Sequence, residues 1–223
     1  MRRSTFLLSV TVGFGLLYLA AVVALGSTPG AGEDGPAVAD WFRSHGGQVR
    51  AWMLLLTLFA PLFATFAALV RAQLPAPHRD VFFFGAIAFA AETAVQGWLW
   101  AGMAWHAGQL QPATARTLLD VASFWGPVLT STTVIMLAPV VVLALRGAAG
   151  LPRWLGVIGG IALAEQVAET VTIFGRHGFI APGGPMNVFL GAGLVAVSLL
   201  CLGVAAARAS SAHGPPAERG AEV

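Results

Sequence analysis

The chain has 223 residues, of which 57% are hydrophobic and 10% are charged, and its formal net charge at pH 7 is +2. A soluble domain usually carries about 25% charged residues, so this chain cannot cover its surface with polar groups in water. All 12 basic residues are arginines, placed singly or in pairs, and they form no basic patch of the kind that binds nucleic acid. The absence of lysine excludes the Schiff base of a retinal pigment, and the single cysteine, Cys201, excludes an internal disulfide.

Six runs of apolar residues are long enough to cross a bilayer. The hydrocarbon layer is about 30 Å thick and needs about 20 residues of helix, whereas a membrane-spanning strand would be about half as long. The sequence therefore predicts an all-α polytopic membrane protein. Residues 1–209 are expected to form one six-helix domain, followed by a disordered cytoplasmic tail over residues 210–223. The predicted spans are residues 6–26, 51–70, 81–105, 121–145, 154–174 and 186–207.

The arginines near the ends of these spans favour one orientation. Segments on the side of the N-terminus hold eight arginines, and segments on the opposite side hold four. Because arginine is enriched on the cytoplasmic side of membrane proteins, both chain ends are expected inside. Most connections are short, which favours an antiparallel bundle. The exception is an outer loop over residues 27–48, in which Trp41 and Phe42 are expected to dip into the membrane interface.

Three carboxyl groups lie within the predicted spans: Glu92 in the third, and Glu165 and Glu169 in the fifth. An ionised side chain at the bilayer centre costs roughly 2.5–3.5 kcal/mol, so these acids are expected to face the interior of the bundle. Glu92 and Glu165 fall at similar depth, and Glu169 follows Glu165 by one helical turn on the same face. If Glu92 and Glu165 share a cavity, at least one of them is expected to keep its proton at neutral pH.

Uncharged polar residues accompany the acids. Gln96 follows Glu92 by one turn, and the fourth span places hydroxyl groups at about the same depth. These residue types suit a proton carrier, a cation site or a general acid. They also suit a purely structural role, because polar side chains bond across helices for about 0.6 kcal/mol each. The predicted binding residues are Glu92, Gln96, Ser131, Thr132, Glu165 and Glu169.

Established catalytic and cofactor motifs do not occur in the sequence. There is no phosphate-binding glycine loop, no nucleophile elbow, no dinucleotide fingerprint and no pair of histidines with metal-ligand spacing. No catalytic residue, cofactor or metal site is therefore predicted.

The Leu-Pro-Arg-Trp-Leu-Gly entry to the fifth span (residues 151–156) and the Pro-Gly-Gly-Pro turn before the sixth (residues 182–185) accompany the six-helix plan. Together these features resemble a family of small bacterial multi-pass membrane proteins of unknown function, common in actinobacteria. The resemblance implies a location in the bacterial plasma membrane and assigns no active-site residue.

Three functional hypotheses fit the sequence. The first is a small transporter coupled to protons or cations, with the intramembrane acids as its sites. The second is a membrane-embedded enzyme that uses an intramembrane glutamate as general acid on a lipid or isoprenoid. The third is a structural subunit of a larger membrane complex. The lipid bilayer is a partner in each case, a homo-oligomer or a complex partner fits all three, and the identity of the solute, proton or lipid ligand stays open.

Overall fold

A computed structural model describes residues 3–212, and within that range it contains helices and connecting segments but no strand. Six helical stretches are long and apolar enough to cross a membrane. The prediction of an all-helical, multi-pass membrane architecture is therefore confirmed. The α-helices are α1 (Arg3–Leu25), α2 (Gly35–Arg71), α3 (His78–Trp105), α4 (Pro112–Ser123), α5 (Trp125–Leu145), α6 (Arg153–Glu169) and α7 (Ala192–Ala212).

The second span begins well before its predicted start. The prediction that residues 27–48 form a loop is wrong beyond Asp34, because α2 is continuous from Gly35. The Asp34 side chain caps this helix by accepting a hydrogen bond from the Ala37 backbone nitrogen at 2.9 Å, and a proline lies in its first turn. Phe42 does not dip into the membrane interface; it is fully buried, with its ring centroid 5.5 Å from that of Trp100.

The fourth span consists of two helices, α4 and α5, that meet at Phe124. Pro127 explains the break, because it has no N–H to donate to the carbonyl of Ser123. The prediction placed the start of this span at residue 121, whereas helix begins at Pro112. The added turns of α4 pack on α2 and α3.

The fifth and sixth spans lose regular α-helical geometry close to each other. After Glu169 the chain tightens into a 3-10 helix over Thr170–Phe174. The sixth span opens with a π-helical segment over Met186–Gly191 before α7 begins. A 3-10 turn at the end of an α-helix is common, whereas π-helical segments are rare and are frequent at functional sites.

Spans that follow one another in the chain pack side by side, and α7 returns to α1, so the bundle closes into a ring. One apolar core joins α1, α2, α3, α5, α6 and α7 and includes Phe63, Phe66 and Met136. A second core joins α1 to α2, α3 and α4 around Phe42 and Trp100. The ring encloses a large cavity, described below.

The last helix continues to Ala212, five residues past the predicted end of the sixth span. The predicted tail over residues 210–223 therefore begins inside this helix. The rest of that tail, from residue 213, lies outside the described residues.

Candidate functional site

A cavity of about 740 Å³ lies inside the ring of helices, and residues from all six spans line it. We call it the central cavity. Its lining also includes the α1–α2 connection from Gly26 to Glu33 and the segment from His177 to Pro185 that leads into the sixth span. Ser27, Glu33 and His177 are exposed, so the central cavity reaches the molecular surface at these two segments. Its volume lies within the range of about 300–1,000 Å³ that small-molecule sites occupy.

The α1–α2 connection is held in place over the mouth of the cavity. Arg116 on α4 donates hydrogen bonds to the carbonyl oxygens of Gly30 at 3.3 Å and Glu33 at 2.8 Å. The same guanidinium group pairs with Asp120 one turn along the helix. Trp41 Nε1 donates to the carbonyl of Ser27 at 3.1 Å. The mouth is therefore shaped by polar contacts from both α2 and α4.

Glu169, Gln166 and Asn187 form a polar cluster on the cavity wall, which we call the acid–amide cluster. Their exposed fractions are 3%, 3% and 1%. Gln166 Nε2 donates to Glu169 Oε2 at 2.7 Å, and Asn187 Nδ2 donates to Glu169 Oε1. Both oxygens of the Glu169 carboxyl group therefore accept a hydrogen bond from an amide. This satisfies an ionised carboxylate in an otherwise apolar wall.

The backbone at the acid–amide cluster is shaped to bring these side chains together. Glu169 is the last residue of α6, and Asn187 lies in the π-helical segment of the sixth span. Asn187 Oδ1 accepts a hydrogen bond from the Gly183 backbone nitrogen at 2.9 Å, which ties the Pro-Gly-Gly-Pro turn to the cluster. Asn187 Nδ2 also reaches Thr172 Oγ1 of the 3-10 helix at 3.4 Å.

Two glycines leave the space that the acid–amide cluster occupies. A Cβ atom on Gly126 would lie 2.6 Å from Asn187 Cγ and Nδ2. A Cβ atom on Gly191 would overlap Glu169 Oε2 and lie 3.0 Å from Gln166 Nε2. The cluster therefore depends on the absence of side chains on α5 and on the sixth span.

Glu165 lies behind the acid–amide cluster and does not line the central cavity. Its Oε2 accepts a hydrogen bond from Gln166 Nε2 at 2.9 Å, so one amide group bridges the carboxyl groups of Glu165 and Glu169. Its Oε1 is buried and has no hydrogen-bond partner. An unpartnered buried carboxylate oxygen is costly, so this side chain retains unused capacity to bind a proton or a donor group.

The other residues predicted for the site are divided between two places. Thr132 Oγ1 donates to Glu92 Oε2 at 2.7 Å, and this pair joins α3 to α5 outside the central cavity. Gln96, one turn along α3, lines the cavity. Ser131 is exposed, and its hydroxyl donates to the carbonyl of Val128 at 3.0 Å. Of the six predicted residues, the structure places Gln96 and Glu169 at the central cavity, while Glu92 and Glu165 lie in different surroundings.

Asn187 is the member of the acid–amide cluster that the sequence reasoning missed. Its signal was an amide side chain at the start of an apolar run, directly after the Pro-Gly-Gly-Pro turn. A single uncharged amide at the start of a predicted span does not by itself indicate a site. Thr93 and Thr133 also line the cavity, although neither is among the predicted binding residues.

The rest of the cavity wall is mostly apolar and rich in aromatic rings. Within residues 3–212 the lining contains no arginine, and its ionisable side chains are Tyr18, Glu33, Glu169 and His177. No group of three or more histidine, cysteine, aspartate or glutamate side chains that could hold a metal ion occurs in the described part of the chain. The aromatic residues of the lining include Phe14, Trp52, Phe59, Phe89, Trp100 and Trp125.

A comparison of the chain with protein-family models, curated proteins and solved structures finds no match. This is consistent with the resemblance to small membrane proteins of unknown function, which carries no assigned site. The fold and the cavity define the class: a multi-pass helical membrane protein with a ligand-sized internal cavity and one buried carboxyl group on its wall.

Proposed function

We propose that this protein is a small carrier of the bacterial plasma membrane in which Glu169 exchanges a proton for a solute held in the central cavity. The observation that carries the proposal is the Glu169 carboxyl group, almost fully buried, on the wall of a ligand-sized cavity that reaches the molecular surface. Ionisable groups within membrane spans are costly and commonly belong to ion, proton or substrate pathways.

The hydrogen bonds of Glu169 support a coupling between its proton and the backbone. In the ionised form both carboxyl oxygens accept bonds from amides. Protonation of Oε1 adds an O–H donor at that oxygen and makes it a weaker acceptor, so the bond from Asn187 Nδ2 is weakened. Asn187 belongs to the π-helical start of the sixth span, so the protonation state of Glu169 acts directly on a segment with irregular helical geometry.

The acid–amide cluster joins the fifth span to the sixth, and a change there is transmitted along both. The 3-10 helix follows Glu169 directly, and its Thr172 shares Asn187 as a partner. A conversion between 3-10, π and α geometry moves the ends of these spans with little change elsewhere. We propose that this movement opens the cavity alternately to the two sides of the membrane, which is what a carrier requires.

The arginine distribution supports the orientation of the carrier. The described segments at Arg71, Arg79, Arg146 and Arg153 are richer in arginine than the connections at the cavity mouth. We place these arginine-rich segments and both chain ends on the cytoplasmic side, with the helices antiparallel. The mouth of the central cavity then faces outward, and the larger apolar core seals the cytoplasmic half.

The experiment is proton exchange in proteoliposomes that contain a pH-sensitive dye and are acidic inside. A panel of cationic, neutral and anionic amphipathic solutes is added outside, one at a time. Uptake of the transported solute should raise the internal pH. The variant Glu169→Gln should abolish this exchange, because an amide side chain cannot take up and release the exchanged proton.

Glu92→Gln is the matched control, since it makes the same chemical change in a span but outside the central cavity. It should leave the exchange rate close to that of the unchanged protein. If no solute moves protons through the folded protein, or if Glu169→Gln exchanges normally, the carrier proposal is wrong. The acid–amide cluster would then be a structural contact between spans, as the subunit hypothesis holds.

A further inference from the structure

The lining of the central cavity specifies the chemical class of its ligand. Resting on the carrier function proposed for the same site, we infer that the solute is a hydrophobic organic cation: an amine or onium group attached to an apolar body. The charge of the wall, its aromatic rings and its route to the lipid each support this class.

The charge of the cavity wall favours a cationic solute. The described cavity wall contains the acidic side chains of Glu33 and Glu169 but no arginine. Arg116 lies at the mouth, where it binds the backbone carbonyl of Glu33 and its charge is paired with Asp120. An anionic solute would meet the Glu169 carboxylate in an apolar cavity with no compensating positive charge, which is strongly unfavourable. A cationic solute supplies the charge that the carboxylate lacks. Glu165, directly behind and bridged through Gln166, adds a second carboxyl group of the same sign.

The aromatic rings of the wall and the size of the cavity favour a bulky organic cation. Aromatic rings from α1, α2, α3 and α5 face the cavity, with Phe14, Trp52, Phe89 and Trp125 as examples. The faces of such rings attract organic cations and also cover apolar groups attached to them. A small hydrated metal ion would leave most of a 740 Å³ space with apolar walls unfilled. The wall therefore favours a bulky cation over an inorganic one.

A buried carboxyl oxygen close to the acid–amide cluster has no hydrogen-bond partner. Glu165 is 9% exposed, and its Oε1 accepts no hydrogen bond. The Glu165 carboxyl group therefore has more acceptor capacity than the protein uses. Because Glu165 does not line the central cavity, it favours a cationic solute through its charge and not through a hydrogen bond.

The residues beside α1 offer the solute a route into the cavity from the lipid. Besides its mouth, the central cavity is lined by residues that are exposed on the outer surface of the helices. Val22 on α1 and Phe189 in the π-helical segment line the cavity, although they are 42% and 70% exposed. The cavity therefore reaches the lipid-facing surface beside α1. A solute that partitions into the membrane can enter there, which requires a hydrophobic body.

The experiment compares two probes of nearly identical shape and opposite charge, the tetraphenylphosphonium cation and the tetraphenylborate anion. Each is titrated by calorimetry into the full chain in lipid nanodiscs, and empty nanodiscs of the same lipid give the background. The cation should bind about tenfold or more tightly than the anion after the background is removed. Equal or tighter specific binding of the anion, or no specific binding of the cation, overturns the inference.

Variants locate the binding site. Glu169→Gln should weaken cation binding by about tenfold or more, whereas Glu169→Asp, which keeps the charge, should restore part of the affinity. Glu92→Gln should bind the cation normally. Each variant is first compared with the unchanged protein in thermal unfolding. If the folded Glu169→Gln variant binds the cation with full affinity, the Glu169 carboxyl group does not select a cationic ligand and the inference fails.

Binding should also weaken as the pH is lowered, because a proton and the cation compete for Glu169. The other ionisable groups that face this region are Glu165 on the same helix and Tyr18, Glu33 and His177 in the cavity lining. The loss should be absent in Glu169→Gln, which separates Glu169 from these groups. A pH dependence that persists unchanged in this variant would contradict the competition.

The failure of the ligand class can be told apart from failure of the carrier function. If neither phenyl probe binds but a neutral or anionic solute drives Glu169-dependent proton exchange, the function stands and the inference falls. If the cation binds through Glu169 but no solute moves protons across the proteoliposome membrane, the inference on the ligand stands and the carrier function falls.

Discussion

At the scale of single residues, the position of the Glu169 carboxyl group depends on a neighbour without a side chain. Gly191 faces Glu169 from the sixth span, and a Cβ atom there would overlap Glu169 Oε2. We expect Gly191→Ala to displace the carboxyl group from Gln166 and Asn187, because the atoms that the new Cβ would meet belong to the Glu169 and Gln166 side chains, which must move aside. The variant should lose cation binding and solute-driven proton exchange by about tenfold or more, and overpacking should cost about 1–3 kcal/mol of stability.

Gly193→Ala is the control for this prediction. It lies two residues along the same span, and a Cβ atom there would meet nothing within 4 Å. Calorimetry with tetraphenylphosphonium and thermal unfolding should show a variant like the unchanged protein, or slightly more stable because alanine favours helix. If both variants bind the cation equally well, the placement of Glu169 does not depend on the space at Gly191.

The individual acids show how far residue identity could predict the site. Glu169 and Gln96 stood out because polar side chains in apolar runs face the interior of a bundle, and both line the central cavity. Which acids share surroundings could not be predicted in the same way. The spans are apolar on nearly every face, so hydrophobic periodicity does not distinguish a face toward lipid from a face toward a neighbouring helix. The separation of Glu92 from Glu169 emerges only from the packing of α3 on α5.

At the scale of helices, the close approach of α3 and α5 supports one side of the ring. Gly85 on α3 lies against the backbone of α5, where a Cβ atom would be 2.8 Å from Met136 Cα and 2.9 Å from the carbonyl carbon of Ile135. Small residues at such crossings allow the van der Waals packing that holds membrane helices together. We expect Gly85→Ala to push the helices apart and to lower the free energy of unfolding by about 1–3 kcal/mol.

The matched variant for the helix contact is Gly102→Ala on the same helix, where a Cβ atom would meet nothing within 4 Å. Unfolding in mixed detergent, followed by circular dichroism, should show a lower midpoint for Gly85→Ala alone. The Glu92–Thr132 hydrogen bond joins the same two helices, so its loss should accompany the separation. Equal stability of the two variants would show that α3 does not need the close approach at Gly85.

The ends of the helices were predicted less well than their existence. Hydropathy identified the apolar part of each span, but it does not detect a helix that continues into polar residues. The first turns of α2 are fixed by the Asp34 cap and by packing on α4, where a Cβ atom on Gly35 would lie 2.8 Å from the carbonyl carbon of Pro112. The 3-10 and π-helical segments were not predicted, because hydropathy does not distinguish these geometries from an α-helix. The two segments contact each other through Asn187 and Thr172.

At the scale of the whole molecule, the ring of spans explains how a chain of 223 residues can enclose a site. Each span contacts the spans before and after it, and α7 closes the ring against α1, so every span contributes to the cavity wall. Length and hydropathy predicted the number of spans, but not which spans are neighbours in the ring. Apolar helices have no hydrophobic preference for one another over lipid. Small residues and the few polar contacts select the neighbours.

The orientation of the ring decides which side of the membrane the cavity mouth faces in this conformation, and it can be measured with single cysteines. In a Cys201→Ser background, single cysteines replace Thr114, which is exposed on α4 near the cavity mouth, or Ala72, which is exposed between α2 and α3. Neither substitution removes an arginine, so the charge distribution that sets the orientation is preserved. In intact cells a membrane-impermeant maleimide should label the cysteine at position 114 and not the one at position 72.

Inverted membrane vesicles should reverse the labelling pattern, and detergent should make both cysteines reactive, which confirms that each is exposed. Labelling of position 72 alone in intact cells would place the cavity mouth on the cytoplasmic side. The central cavity would then open to the cell interior in this conformation. The arginine-rich connections at Arg71 and Arg146 argue for the first result, because moving them outward would oppose the positive-inside distribution.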